Sequence, residues 1–336
     1  YPGPVCYGQG NTRPTVTDAN VVLGRINADK PIGGKLDRLD VDRAKAAIET
    51  HVGAPLDLSV MAAAEAIIRV ANSKMAGAIR LVSIERGHDP KNFSAMPFGG
   101  GGALHTGALM KEVGLQSALV PRYPGINSAL GCTIADMRHD FVQTINGVLG
   151  RLDIDDLDQR MVELAQQGLG MLQTAGVSFG GTALQFELDM SYQGQTHTVD
   201  VAVPLDLKGD TTGVTEASVR AAFETRYLAV YGRLLNNIPI RVLNLRVSAL
   251  GKRPKFDLTL LAPAAGVSLA QARRGTRQVW FDGAFHETGV YERLPLSVGE
   301  IVPGPALLEQ PDATVFIEPD LTARVDHFGN LVISRK

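Results

Sequence analysis

The stretch that decides the fold is Phe98-Gly-Gly-Gly-Gly-Ala-Leu-His105. A short apolar run over residues 93–98 precedes the glycines and predicts a strand, and the apolar stretch from Ala103 predicts a helix. Consecutive glycines at such a junction leave backbone N–H groups uncovered, and a helix N-terminus favours negative charge. The stretch is therefore a candidate nucleotide-binding turn. A flexible turn without a ligand is the alternative, because the spacing matches neither G-x-G-x-x-G nor the Walker motif.

The residues around this stretch predict alternating helices and strands. Ser59 is placed to cap a long helix that runs to about Arg86, in which apolar residues recur at helical spacing: Ala64, Ile68, Ala71, Met75, Ala78 and Val82. Residues 117–121 predict a short strand, and Pro124-Gly125 precedes another helix. This order is typical of an α/β domain.

The pattern changes after about residue 148. Asp153 begins an acidic-capped helix that stops near Gly176, and residues 184–192 alternate between apolar and polar as a half-buried strand does. A further helix over 215–231 and several short strands follow, with a candidate linker over 262–266. We expect two domains, an α/β domain over residues 1–148 and an α+β, β-rich domain over residues 149–336.

Composition excludes several classes of function. The 336 residues carry a formal net charge of −2, which offers no electrostatic footprint for nucleic acid or an anionic membrane. No apolar run approaches the ~18 residues that a membrane span needs. Two cysteines are too few for a disulfide framework, and the seven histidines form no zinc-binding spacing, so a cytoplasmic protein without its own metal site is expected.

A longer set of motifs surrounds the glycines. In chain order these are Tyr1-Pro-Gly-Pro-Val-Cys-Tyr-Gly8, Pro14-Thr-Val-Thr-Asp-Ala-Asn20, Arg80-Leu-Val-Ser-Ile-Glu-Arg-Gly-His-Asp-Pro90, the glycine stretch itself and Ala135-Asp-Met-Arg-His-Asp-Phe141. Together they resemble the C-terminal portion of the hydantoinase A/oxoprolinase family, which includes 5-oxoprolinases, lactamases and acetone or acetophenone carboxylases. The resemblance implies the second lobe of an actin/Hsp70/sugar-kinase-like ATPase fold.

The resemblance also implies an activity and partners. Family members use Mg-ATP to phosphorylate a cyclic amide, such as a lactam or hydantoin, for hydrolytic ring opening. The alternatives are an ATP-dependent carboxylase of acetone or acetophenone type and a non-catalytic scaffold. No Asp-x-Gly-Gly-Thr-like phosphate hairpin is present, and Tyr1 lies inside a family motif. We therefore expect a missing N-terminal lobe of the same polypeptide and a hydantoinase B-like partner subunit or domain.

The candidate nucleotide-binding residues are Gly99, Gly100, Gly101 and Gly102, joined through the resemblance by Asn72, Glu85 and Arg86, one of which is expected to approach the adenine or ribose. For Glu85 and Arg86 the alternative is a surface ion pair or contact with the helix C-terminus.

Three further residues are candidates for contact with phosphate, metal or substrate. Asp18 and Asn20 have that interpretation through the family match, whereas from sequence alone a local turn is favoured. His105 either contacts a ligand or fills a buried polar position, which is the commoner role of a lone histidine. No catalytic residue is assigned. Neither Cys6 nor Cys132 has a nucleophile signature, and Cys132 is expected to be a small core residue.

Overall fold

A computed structural model describes residues 3–262 and 265–336 of the chain. The chain divides into two compact units. The first comprises the chain up to Thr133 together with Asp257–Lys336, and the second is Ile134–Phe256. The predicted division near residue 148 differs from this one, because the C-terminal strands return to the unit that contains the glycine stretch. Residues 263 and 264 of the suggested linker lie outside the described residues.

The first unit combines helices with two sheets. Its helices are α1 (Val16–Val22), α2 (Val41–Ile48), α3 (Ala54–Leu56), α4 (Val60–Val82), α5 (Thr106–Val113) and α9 (Leu269–Ala272), and α6 (Asn127–Ile134) ends at the boundary of the unit. Its strands are β1 (Ser94–Ala95), β2 (Ser117–Val120), β7 (Arg273–Phe281), β8 (Ala284–Glu292), β9 (Ile301–Pro303), β10 (Ala306–Gln310), β11 (Ala313–Ile317), β12 (Leu321–Val325) and β13 (Leu331–Arg335).

The two sheets of this unit have the orders β1-β2-β13-β12-β9 and β11-β10-β8-β7. Strands β1 and β2 are parallel, with Ser94 opposite Ser117, while β13 runs antiparallel to β2. Strand β13 thus brings the C-terminus of the chain against the segment that follows the glycines. The main apolar core of the unit includes Met110 of α5, Val120 of β2 and Ile317 of β11.

The second unit is one antiparallel sheet with two helices. Strands β3 (Met137–Val148), β4 (Gly181–Tyr192), β5 (Val199–Val203) and β6 (Ile240–Lys252) have the order β3-β6-β4-β5. Helices α7 (Ile154–Thr174) and α8 (Glu216–Tyr231) share a core with the sheet, in which Met161 and Phe223 are fully buried. The α+β character expected for this part of the sequence is present over these residues.

Helix α4 follows its prediction at the start and departs from it at the end. Ser59 accepts a hydrogen bond from the Ala62 N–H as N-cap, but the helix ends at Val82, and Ile84–Arg86 forms a separate 3-10 turn. The buried face contains Ala64, Ile68, Asn72 and Ala76, spaced by four residues, whereas Ala78 and Val82 are outside the core. The predicted apolar stripe was therefore wrong over its second half.

Local details near the glycines also differ. The predicted strand over 93–98 is only Ser94–Ala95, and Gly102–Leu104 forms a 3-10 turn before α5 begins at Thr106. Strand β2 and the helix after Pro124-Gly125 are present as predicted. The mixture of helices and sheets confirms the α/β class. Within the described residues, no helix has the length and apolarity required to cross a membrane.

Candidate nucleotide-binding site

The glycine turn, Gly99–Gly102, lies at the surface between β1 and α5. Gly99 has a φ of +82°, a conformation that favours glycine over residues with a Cβ. Its N–H donates to the carbonyl oxygen of Pro124 at 2.6 Å. Within the described part of the chain, the N–H groups of Gly100, Gly101 and Gly102 donate to no backbone acceptor. Three neighbouring donors are thus free to bind an anionic or polar ligand.

An apolar pocket of about 410 Å³ lies beside this turn. Pro97 and Thr106, on either side of the glycines, both line it. The end of α4 contributes Ile79, Val82 and Ser83, and the remaining walls are His88, Pro90, Phe93, Ser94, Ala95, Met96, Leu109 and Leu115. Its volume falls within the range of small-molecule sites, and its walls are mostly apolar, as a planar base requires.

Two pocket rings are exposed at its edge. His88 and Phe93 meet edge to face, with centroids 5.8 Å apart and an interplanar angle of 70°. Phe93 retains 49% of its accessible surface. Aromatic surface of this kind can stack on a heterocycle.

Asn72 of α4 and His105, which follows the glycine turn in the chain, form a buried pair. His105 Nδ1 lies 2.7 Å from Asn72 Oδ1, and the two residues are 7% and 5% exposed. Burial, and then the positive charge of Arg25, lower the pKa of His105 to about 4, so its ring is neutral at pH 7. A neutral ring that donates through Nδ1 fixes α4 against the first turn of α5. Both residues thus occupy buried polar positions, and their predicted contacts with a ligand stay predictions.

Glu85 and Arg86 lie between Ser83 and His88, which line the pocket. Both side chains are exposed and neither lines the pocket itself. The structure thus pairs Asn72 with His105, which follows the glycine turn in the chain, and leaves Glu85 and Arg86 exposed in the segment between two pocket-lining residues. Their predicted contact with adenine or ribose stays a prediction.

Asp18 is fully buried, and its carboxylate already accepts several hydrogen bonds from the protein. It accepts hydrogen bonds from the N–H groups of Val5, Cys6 and Thr15, at 2.7–3.1 Å, and from the Thr15 hydroxyl at 2.8 Å. Thr15 and Asp18 also form the capping box of α1. These bonds favour the turn interpretation over contact with phosphate or metal.

Asn20 is also buried, at 2% exposure. Its amide donates to the Val16 carbonyl oxygen, and its Oδ1 has no hydrogen-bond partner among the described residues. The amide of Asn20 thus bonds within α1, whereas Asp18 also accepts from Val5 and Cys6, which are 13 and 12 residues away, a difference that the sequence does not indicate. The predicted ligand contact of Asn20 stays a prediction.

A cluster of buried charges near α5 was missed by the sequence analysis. Glu318 is 3% exposed and pairs with Lys111 of α5, and Gly107 packs so closely that any Cβ would collide with the Glu318 carboxylate. Arg25, 5% exposed, lies 5.2 Å from the centre of the Phe316 ring. Burial raises the pKa of Glu318 and lowers that of Arg25. No local motif marks this cluster, since its members are far apart in the sequence.

The cysteines have opposite environments. Cys6 is 1% exposed, and burial together with the Asp18 carboxylate raises the pKa of its thiol, which opposes formation of the nucleophilic thiolate. Cys132 is exposed, so the expectation that it is a core residue was wrong. The helix that contains it, α6, has no buried residue along its described length.

Candidate metal ligands are not gathered in the part of the chain that the structure describes. No group of three or more His, Cys, Asp or Glu side chains lies close enough there to hold an ion. We therefore assign no residue as a ligand of the magnesium that would accompany ATP.

Comparison with solved structures gives two similar chains. A nucleotide-free structure of acetone carboxylase, an enzyme of ATP-dependent acetone carboxylation, matches 100% of this chain and 48% of its own, with a TM-score of 0.79 and 25% identity. The crystal structure of ATP-dependent caprolactamase from Pseudomonas jessenii matches 99% of this chain and 48% of its own, with a TM-score of 0.72 and 30% identity.

Comparison of sequences also finds a caprolactamase. The caprolactamase subunit alpha of Pseudomonas jessenii is 32% identical over 332 residues, which are 97% of this chain and 47% of that protein. The chain thus spans about half the length of the curated relatives named here. The hydantoinase/oxoprolinase family model matches residues 1–141, and the model of the hydantoinase/oxoprolinase C-terminal domain matches residues 153–333. The chain belongs to the hydantoinase/oxoprolinase family.

Proposed function

We propose that this chain supplies the nucleotide-facing part of an ATP-dependent enzyme that phosphorylates a cyclic amide, a lactam or hydantoin, for hydrolytic ring opening. The observation that carries the proposal is the glycine turn with three free N–H groups beside an apolar pocket of about 410 Å³. The relatives named above include ATP-dependent enzymes, one of which is a caprolactamase.

In this proposal the adenine lies in the apolar pocket. Phe93 and His88 would contact one part of the base, and Leu109 of α5 also lines the pocket. The N–H groups of Gly100–Gly102 donate to oxygens of the ribose or the phosphates. Glycine is required because the backbone itself must approach the ligand.

The chemistry follows from the stability of an amide. Resonance protects the ring carbonyl carbon from water, and transfer of the γ-phosphoryl group to the amide oxygen, with release of ADP, converts that oxygen into a leaving group. Attack by water on that carbon gives a tetrahedral intermediate, and cleavage of the ring C–N bond, with a proton delivered to the nitrogen, opens the ring as an acyl phosphate. A second water then hydrolyses the acyl phosphate to the carboxylate and inorganic phosphate. Phosphoryl transfer depends on positioning and charge neutralisation, for which Mg²⁺ accompanies ATP. The chain's own residues are proposed to bind and orient the nucleotide only.

The rest of the enzyme is also part of the proposal. Because the chain spans about half of its relatives, we propose that an N-terminal lobe of the same polypeptide supplies the remaining contacts to the phosphates. A hydantoinase B-like partner subunit or domain would then direct water to the activated ring. We place the enzyme in the cytoplasm, since Cys6 and Cys132 are both free thiols.

A carboxylase is the second candidate. The acetone carboxylase structure has a TM-score of 0.79 to this chain, so the same nucleotide site would serve a carbonyl substrate equally well. In that case ATP would activate acetone or acetophenone and bicarbonate rather than a ring amide.

The test is phosphate release by the complete polypeptide with its partner. Hydantoin, 5-oxoproline and caprolactam are compared with acetone and acetophenone, each of the latter with bicarbonate. Stimulation of ATP turnover by a cyclic amide, with the ring-opened product, supports the proposal. Stimulation only by a ketone with bicarbonate assigns the carboxylase instead, and ATP binding without any stimulation by these substrates indicates a scaffold.

A further inference from the structure

The tip of a hairpin remote in sequence packs against the glycine turn. Strands β10 and β11 are joined by the two residues Pro311 and Asp312. The Asp312 side chain accepts a hydrogen bond from the Gly125 N–H at 2.8 Å. A Cβ at Gly100 would lie 3.4 Å from the Asp312 carbonyl oxygen, and one at Gly125 would collide with it. The tip therefore touches both the glycine turn and the segment that anchors it.

The anchoring continues from Gly125 to Gly99. Pro124, the residue before Gly125, accepts the Gly99 N–H at 2.6 Å. Holding Gly125 with the Asp312 carboxylate therefore fixes the start of the glycine turn through two consecutive bonds. The same tip accepts the Gly33 N–H at the Pro311 carbonyl oxygen, at 2.9 Å.

Behind the tip, Gln310 connects it to a buried arginine. Gln310 Nε2 donates to Asp312 Oδ1 at 2.5 Å, and Gln310 Oε1 accepts from Arg293 Nη1 at 2.9 Å. Arg293 Nη2 donates to the carbonyl oxygens of Val120 and Pro121, at 2.9 and 2.6 Å. Arg293 and Gln310 are 3% and 8% exposed, so water does not readily replace these bonds.

We propose that Asp312 and Gln310 are positioning residues that set the conformation of the glycine turn for the nucleotide. The inference rests on the proposed nucleotide-binding function. Direct contact with the nucleotide is disfavoured for Asp312, because its two oxygens already bind Gly125 and Gln310 and its negative charge would repel phosphate. The fixed turn presents N–H donors without reorganisation, which is how preorganisation raises affinity.

Two substitutions at one position test this role. Asp312→Ala removes the acceptor for Gly125, while Asp312→Asn keeps an amide oxygen that can accept the same N–H. Asp158→Ala is the matched control, because Asp158 also accepts a backbone N–H, from Thr212 at 2.8 Å, but lies in the second unit. All are made in the complete polypeptide with its partner.

The measurements are the Kd for ATP by titration calorimetry, the thermal midpoint without nucleotide, and amide exchange of residues 98–104. We expect Asp312→Ala to raise the Kd about 10-fold or more and to speed that exchange, because it removes a hydrogen bond to a charged acceptor. Asp312→Asn should restore both only in part, because its amide oxygen can accept the Gly125 N–H but its amide nitrogen cannot accept from Gln310 Nε2. Asp158→Ala should lower the thermal midpoint but leave the Kd unchanged.

The outcomes separate the two proposals. Unchanged Kd and exchange in Asp312→Ala, or an equal loss of affinity in Asp158→Ala, would overturn the positioning role. A wild-type complex that binds no ATP rejects the proposed function instead. In that case amide exchange alone tests whether Asp312 positions the glycine turn. Unchanged exchange over residues 98–104 in Asp312→Ala then overturns the inference.

Discussion

Gly101→Val is the cleanest test of whether the glycine turn binds a ligand. Gly101 has φ −105° and ψ −14°, which any residue can adopt, and a Cβ there would meet no atom within 4 Å. The residue is exposed. We therefore expect the free energy of unfolding to change by no more than ~0.5 kcal/mol. Gly100→Val is less clean, since its Cβ would lie 3.4 Å from the Asp312 carbonyl oxygen.

The expected loss of affinity follows from one hydrogen bond. An N–H that donates to a phosphate oxygen must approach to about 2.9 Å, and a branched side chain beside it keeps the ligand away. A hydrogen bond to a charged group contributes about 1.5–3 kcal/mol. Because about 1.4 kcal/mol is tenfold in an equilibrium constant, the Kd for ATP should rise about 10- to 100-fold.

The assay is calorimetric titration of ATP into the complete polypeptide with its partner. Gly150→Val is the control, because Gly150 is also exposed, lies in a 3-10 turn, and has no atom within 4 Å of the position that a Cβ would take. Both variants should keep the wild-type thermal midpoint, and only Gly101→Val should lose affinity. Wild-type affinity in a folded Gly101→Val protein would refute the assignment of the turn to the nucleotide.

Three further predictions concern other residues. The pKa of His105 is about 4 in the folded protein and ~6.5 when unfolded, so the unfolded chain takes up a proton as the pH falls through that window. The free energy of unfolding should therefore decline by about 3 kcal/mol between pH 6.5 and 4, and denaturant titrations should show a flatter pH dependence for His105→Gln but not for the exposed His51→Gln. Cys6→Ser and Cys132→Ser should both retain ATP turnover, with a loss of thermal stability only for the buried Cys6; a turnover loss of orders of magnitude in a stable variant would make that cysteine a nucleophile. Residues 1–336 alone should show far slower ATP hydrolysis than the complete polypeptide with its partner, and equal rates of phosphate release would contradict the two-lobe interpretation.

The local periodicity of apolar residues predicted helices and strands, but it did not predict which face of each one is buried or which residues pack against it. Ser59, the α4 helix and the alternating strand β4 were identified because caps and side-chain periods act over a few residues. The buried face of α4 was misplaced, since the spacing of alanines is compatible with two faces that differ by a small rotation. Asn72 could have indicated which face of α4 is buried. A polar residue four positions after Ile68 belongs to the buried face only if a partner satisfies it, and that partner is His105.

The candidate site, too, was predictable from sequence only where its residues are close together in the chain. The glycine turn could be identified from sequence because glycine readily adopts the φ of +82° at Gly99 and allows close approach of a backbone. The side chains that hold this turn in place could not be identified from sequence, because they come from distant parts of the chain. Asn72 and His105 are 33 residues apart, and Gly125 and Asp312 are 187 residues apart. The contact of Asp312 with Gly125 depends on the fold, because no local motif connects residues so far apart.

The glycine turn offers backbone N–H groups next to an apolar pocket, and polar side chains from other parts of the chain support it. These are the buried Asn72–His105 pair and Gln310 with the part-buried Asp312. Backbone donors have no side chain to remove, so affinity can be changed only by blocking their approach or by moving them. Gly101→Val should block the approach of the ligand to these N–H groups, and Asp312→Ala should move the groups themselves. Because the two act on the same N–H groups, their effects on ATP affinity should be less than additive when they are combined.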